Sequence, residues 1–138
     1  GRLLALLRPV ALKNESIDVI AKFAPQATIG PRFPKTRKGT VAHMAPDARA
    51  IGDRHVPAKP ALIVFPRYDP QVDCLVQPER RSLAFSRLSI NSFNYEMLGP
   101  AAFDAVAGLI ESCRAYRLVY SDMNRAIGAI RELLAGGS

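Results

Sequence analysis

Apolar residues along this chain gather in short blocks separated by prolines, and the blocks alternate between strand-like and helix-like spacing. Ala61-Leu62-Ile63-Val64-Phe65 runs without interruption between Pro60 and Pro66. Such a run predicts a strand buried on both faces, at the centre of a sheet. Leu3 to Leu7 reads as another buried strand, and Val10-Ala11-Leu12 as a short one. Ser16 predicts a helix N-cap, followed by Ile17, Val19, Ile20 and Phe23 at helical spacing until Pro25 stops the pattern.

Ala24 to Lys38, broken by Pro25, Pro31 and Pro34, reads as loop, as does Ala45 to Lys59 with Pro46 and Pro57. Gly39 to Met44 between them fits a strand, and Cys74-Leu75-Val76 a weaker one. Pro78 is placed to open a helix bearing Leu83, Phe85, Leu88 and Ile90. After the break at Gly99-Pro100, Phe103, Val106, Ala107 and Ile110 recur at helical spacing. Tyr116 to Tyr120 alternates as a strand. Ser121 then predicts the cap of a final helix whose stripe is Met123, Ile127, Ile130 and Leu134. The order predicts an α/β fold, a mixed sheet flanked by helices, with the final helix packed on the sheet.

The chain's 138 residues suit a single domain, 1–138, with a core of its own. An apolar share of 49% and a charged share of 22% exclude a disordered chain. No apolar run approaches the ~20 residues of a membrane span, so no membrane partner is expected. Cys74 and Cys113 match no metal or redox spacing, and two free thiols point to a reducing cytoplasm. His43 and His55 have no partner at ligand spacing, which argues against a bound metal.

Charge changes the picture more than composition does. Of the net +7, the stretch from Pro31 to Pro60 carries +5: seven cations (Arg32, Lys35, Arg37, Lys38, Arg49, Arg54, Lys59) against Asp47 and Asp53. A concentrated patch favours a specific anion, a nucleotide or a phosphoprotein, over a broad polyanion such as nucleic acid. Its centre is the run Phe33-Pro34-Lys35-Thr36-Arg37-Lys38-Gly39-Thr40-Val41-Ala42-His43. Three cations that repel one another are reconciled by an anion they share. Gly39 lets the backbone approach it, and Thr36 and Thr40 add hydroxyl donors. His43 reads as either a general base or a strand histidine with a satisfied ring. Arg67 follows an apolar strand, and in open α/β sheets ligands gather at the carboxyl ends of parallel strands.

Four segments in order, Lys13-Asn14-Glu15-Ser16-Ile17-Asp18-Val19-Ile20, the Phe33-to-His43 run, Val64-Phe65-Pro66-Arg67-Tyr68 and Ser92-Phe93-Asn94-Tyr95-Glu96, resemble the C-terminal half of HPr kinase-related proteins. These are P-loop kinases akin to HPr kinase/phosphorylase, with a nucleotide-binding core similar to that of phosphoenolpyruvate carboxykinase. The resemblance spans nearly the whole chain. It implies ATP-dependent phosphoryl transfer to a protein hydroxyl, with ATP and Mg²⁺ as cofactors. Lys35, Arg37 and Lys38 would neutralise the phosphoryl group, with Thr36, Gly39 and Thr40 adding hydroxyl and backbone contacts. Lys13, Asn14 and Glu15 would stand at a helix N-terminus, as phosphate contacts or as caps. Asn91, Asn94 and Tyr95 would line the nucleotide or a partner, or tie down a helix end.

The family's GxxxxGK[ST] motif and its acidic Mg²⁺ ligand do not occur in these 138 residues. The P-loop's backbone amides and lysine hold the β- and γ-phosphates while its hydroxyl holds Mg²⁺. The chain, which opens on Gly1 rather than methionine, therefore reads as a fragment lacking the P-loop half and inactive by itself. The alternative is a non-catalytic module that grips a phosphorylated or nucleic-acid partner.

Overall fold

The computed structural model describes residues 2–92 and 94–136; Gly1, Phe93 of the Ser92-to-Glu96 segment, and residues 137–138 lie outside the described residues. The fold is α/β, with two three-stranded sheets instead of the single mixed sheet that the apolar pattern suggests. Two compact units carry them, one formed by Leu3–Ala58 and the other mainly by the chain from Lys59 onward. No helix among the described residues is long and apolar enough to cross a membrane.

The first unit has strands β1 (Val10–Lys13), β2 (Phe33–Thr36) and β3 (Gly39–Met44), in the order β1-β3-β2 and antiparallel throughout. Helix α1 (Glu15–Phe23) covers one face, where Ile17 joins Leu12 and Ala42 in a core that Ile20, Ile29 and Met44 border. Leu3 to Leu7 is not a buried strand. Leu3 makes a single bridge to Ala58, and Leu3, Leu4 and Leu6 are exposed. The N-cap position of α1 belongs to Asn14, two residues ahead of expectation, while the Ser16 hydroxyl donates to Lys13 O and accepts from Lys13 N.

Two segments expected to be loops contain structure. Phe33–Thr36 is an edge strand, where Pro34 needs no ladder donor and cations discourage pairing with another chain. Ala48–Gly52 is a short helix, α2, capped by Asp47, whose Oδ1 accepts from Ala50 N at 2.6 Å, and a 3₁₀ turn follows over Asp53–His55.

The second unit has strands β4 (Leu62–Tyr68), β5 (Cys74–Pro78) and β6 (Arg114–Tyr120) in the order β4-β6-β5, with β4 parallel and β5 antiparallel to β6. The expected centrality of the 61–65 strand is corrected: β6 is central and β4 is an edge. Ile63 and Phe65 are half-buried nonetheless, because they pack on Ala84 of α3 (Arg81–Asn91) and on Val106 and Ile110 of α5 (Pro100–Ser112). Arg87 reinforces this layer, reaching Glu79 at 3.3 Å and lying 5.7 Å over the Phe65 ring.

Pro78 ends β5 instead of opening a helix, and the buried face of α3 is Ala84 with Phe85 and Leu88, leaving Leu83 and Ile90 exposed. In α5 the buried positions are Ala102, Val106 and Ile110, while Phe103 is half-exposed and packs against Phe85 with the rings tilted by 59° and their centroids 5.2 Å apart. A four-residue helix, α4 (Tyr95–Leu98), lies between them. The other face of β6 carries Leu118, 2% exposed, beside α6 (Met123–Ala135). Asp122, not Ser121, caps α6 by accepting from Arg125 N. Ala126 is its buried residue, and Leu134 at the end of the expected stripe is exposed.

Candidate phosphate-binding hairpin

Strands β2 and β3 form a hairpin whose closing pair is Thr36–Gly39, with Arg37 and Lys38 as the two residues of the turn. The Thr36 hydroxyl donates to Gly39 O at 2.6 Å and accepts from Lys38 N at 3.1 Å, which closes the turn from inside. Gly39 has φ +86°, a left-handed backbone that a side chain resists. Lys35 also has positive φ (59°), at the irregularity where the β2 register shifts between Phe33 and Thr36. Such an irregularity re-aims side chains near a strand end.

Asn14 anchors this hairpin to β1. Its N–H donates to Thr40 O at 2.9 Å, and its Oδ1 accepts from Thr40 N at 3.0 Å. The contact is close enough that a Cβ on Gly39 would lie 2.2 Å from Asn14 Oδ1. Asn14 accepts φ 49°, ψ −127° to do this, a conformation Gly99 also adopts before α5 (φ 51°, ψ −122°). For a residue with a side chain that conformation stores roughly 1–3 kcal/mol of strain.

The sequence-predicted residues therefore separate. Lys13, Asn14, Thr36, Gly39 and Thr40 come together as the base of the hairpin, while Lys35, Arg37 and Lys38 are exposed at its end. Among the described residues none of these three cations forms an ion pair, whereas Arg32 is taken by Asp18 and Arg49 by Asp53. Arg32 holds Asp18 below the usual carboxylate range, first by hydrogen bond and then by charge. Its stabilising effect is thus present at neutral pH and lost as acid protonates Asp18, and full exposure of the pair keeps it small.

Arg67 belongs to the second unit. It stands near the carboxyl end of β4, which is parallel to β6 as the ligand-site argument requires, but its guanidinium is 3.7 Å from Asp69. Asn91 Nδ2 donates to Arg87 O, tying down the end of α3, and Tyr95 packs against the second core. His43 is an exposed residue of β3. No group of three or more His, Cys, Asp or Glu side chains comes together as a metal site among the described residues.

The residue that the charge pattern overlooks is Phe33. It pairs across the ladder with Val41, which pairs in turn with Lys13, so the three share the sheet face opposite the Leu12–Ala42 core. Phe33 is 51% exposed there. A groove of about 530 Å³ elsewhere in the unit, lined by Leu6, Val10, Met44 and Pro46 among others, contains none of the candidate residues. Comparison of the chain with protein-family models, with curated proteins and with solved structures returned no significant match.

Proposed function

We propose that this chain supplies the phosphate-contacting wall of an ATP-dependent protein kinase resembling HPr kinase, with Lys35, Arg37 and Lys38 gripping the phosphate chain. The observation that carries the reading is the hairpin itself. It presents three cations that have no carboxylate partner among the described residues, from a turn braced by the hydrogen bonds of Asn14 and Thr36 and by the close approach of Gly39. A free basic segment would lose conformational entropy on binding; a pinned one has lost part of it already. The four-segment sequence resemblance supports the kinase assignment and the choice of ATP.

Preorganised cations stabilise the charge that spreads over the equatorial oxygens during phosphoryl transfer. Among the described residues no cluster of carboxylates makes up a Mg²⁺ site, and a P-loop is still needed to hold the β- and γ-phosphates. No turnover is expected from the 138 residues by themselves, and Mg²⁺-dependent ATP hydrolysis above background by the purified chain would contradict that.

Binding is the direct test. Arg37→Gln together with Lys38→Gln should weaken ATP binding roughly tenfold in calorimetric titration, about 0.7 kcal/mol from each of two solvent-exposed, screened charge contacts. Stability without ligand should change by less than about 0.5 kcal/mol, since both side chains are exposed. Equal affinity of parent and double variant would leave the hairpin as a solvated charge run. A parent that prefers a single-stranded oligonucleotide to ATP at matched charge would favour the non-catalytic module instead.

A further inference from the structure

Resting on the hairpin as a phosphate site, we infer that the open face of the first sheet is the base platform of the same nucleotide, with Phe33 as the stacking ring. Lys13, Val41 and Phe33 form one row across β1, β3 and β2, on the face that α1 does not cover. Neighbouring strands lie about 4.8 Å apart, so Lys13 and Phe33 are separated by roughly 10 Å at the backbone.

An exposed phenylalanine on an edge strand costs solubility and invites pairing with other chains, and nothing in the first core requires it. Gly39 and the Asn14 carboxamide lie between this row and the turn, two residues along β3 from Val41. Because Asn14 Oδ1 is held by the Thr40 N–H, the orientation of the amide is fixed. Its Nδ2 makes no hydrogen bond among the described residues and offers two donors beside the turn. Ring, donors and cations therefore follow one another in the order in which a nucleoside triphosphate presents base, sugar and phosphates.

The distribution favours a mononucleotide over a strand of nucleic acid. Non-specific single-strand binding uses successive aromatic platforms and a basic track along the backbone. Here one aromatic ring stands on the face in a row with Lys13, and the three turn-end cations gather at one end of it. Stacking alone tolerates every base, so the site should take ATP and GTP with similar affinity.

The test compares ATP with inorganic tripolyphosphate, which has the charge but no ring, by calorimetric titration of the full chain. Phe33→Leu is expected to weaken ATP about tenfold or more and to leave tripolyphosphate unchanged. Phe33→Tyr, which keeps the ring, should bind ATP like the parent and shows that loss in the leucine variant is not misfolding. If Phe33→Leu binds ATP as the parent does, or weakens both ligands equally, the stacking role is overturned while the hairpin can still stand. If Arg37→Gln with Lys38→Gln leaves both ligands unaffected, or the parent binds neither, the hairpin reading itself falls and the base platform falls with it.

Discussion

Gly39→Ala should destabilise the first unit by about 3 kcal/mol, the sum of backbone strain and a lost hydrogen bond. The φ of +86° disfavours any side chain, and the new Cβ, 2.2 Å from Asn14 Oδ1, forces the carboxamide off the Thr40 N–H. Gly99→Ala separates the two causes. Gly99 also has positive φ, but an added Cβ there meets nothing within 4 Å, so strain alone is expected, about 1–2 kcal/mol, within the range given for Asn14 in the same conformation. Native-state amide exchange reads each cost locally, in β3 for Gly39 and in α5 for Gly99.

The contact has a further signature. Introduced together with Asn14→Gly, which removes the carboxamide, Gly39→Ala should cost no more than Gly99→Ala does, a departure from additivity that marks residues in contact. Additive effects, or a Gly39→Ala cost no larger than that of Gly99→Ala, would show that Asn14 does not pin the hairpin. The same substitution should weaken ATP binding even though it touches none of the three cations, because it loosens the frame that presents them.

Much of the first unit could be read from residue order because its signals are local. Gly39 to Met44 reads as a strand, with Ala42 its one buried residue, whereas its partner Phe33–Thr36 reads as loop, so the strand was legible and the hairpin was not. Asn14 stands out in the sequence, but the contact it makes does not. Reading it as a phosphate contact or a helix cap uses only its neighbours, whereas its partner is Thr40, 26 positions away. Phe33 was hidden for the same reason. Exposure of a ring depends on which face of a three-stranded sheet a helix covers, and the register of β2 on β3 decides that.

Apolarity misled where it was taken for burial. Leu3 to Leu7 and Ala61 to Phe65 are runs of equal length and similar composition. The first is left largely exposed with one bridging residue, while the second gains α3 and α5 on one of its faces. The run at 61–65 also carries no record of strand order. β6, whose Arg117 breaks the apolar pattern, takes the centre because a long crossover returns it alongside β4 in parallel.

Leu118→Ala follows from that order and should be the most costly truncation in the second unit, at about 2–5 kcal/mol. Leu118 is one of the two largest fully buried side chains, at 2% exposure, and its strand has neighbours on both sides, pairing with Pro66 of β4 and Val76 of β5. Removing the isopropyl end of its side chain leaves a cavity that neither flanking strand can close without breaking its ladder to β6. Leu75→Ala makes the comparison. Leu75 lies on β5, an edge strand of the same sheet, and is 42% exposed, so its truncation should cost less than about 1 kcal/mol. Urea unfolding followed through the slowest-exchanging amides of β4, β5 and β6 measures both. Were the two costs equal, the burial that makes β6 the central strand would be wrong, and the 61–65 run would regain its claim to that place.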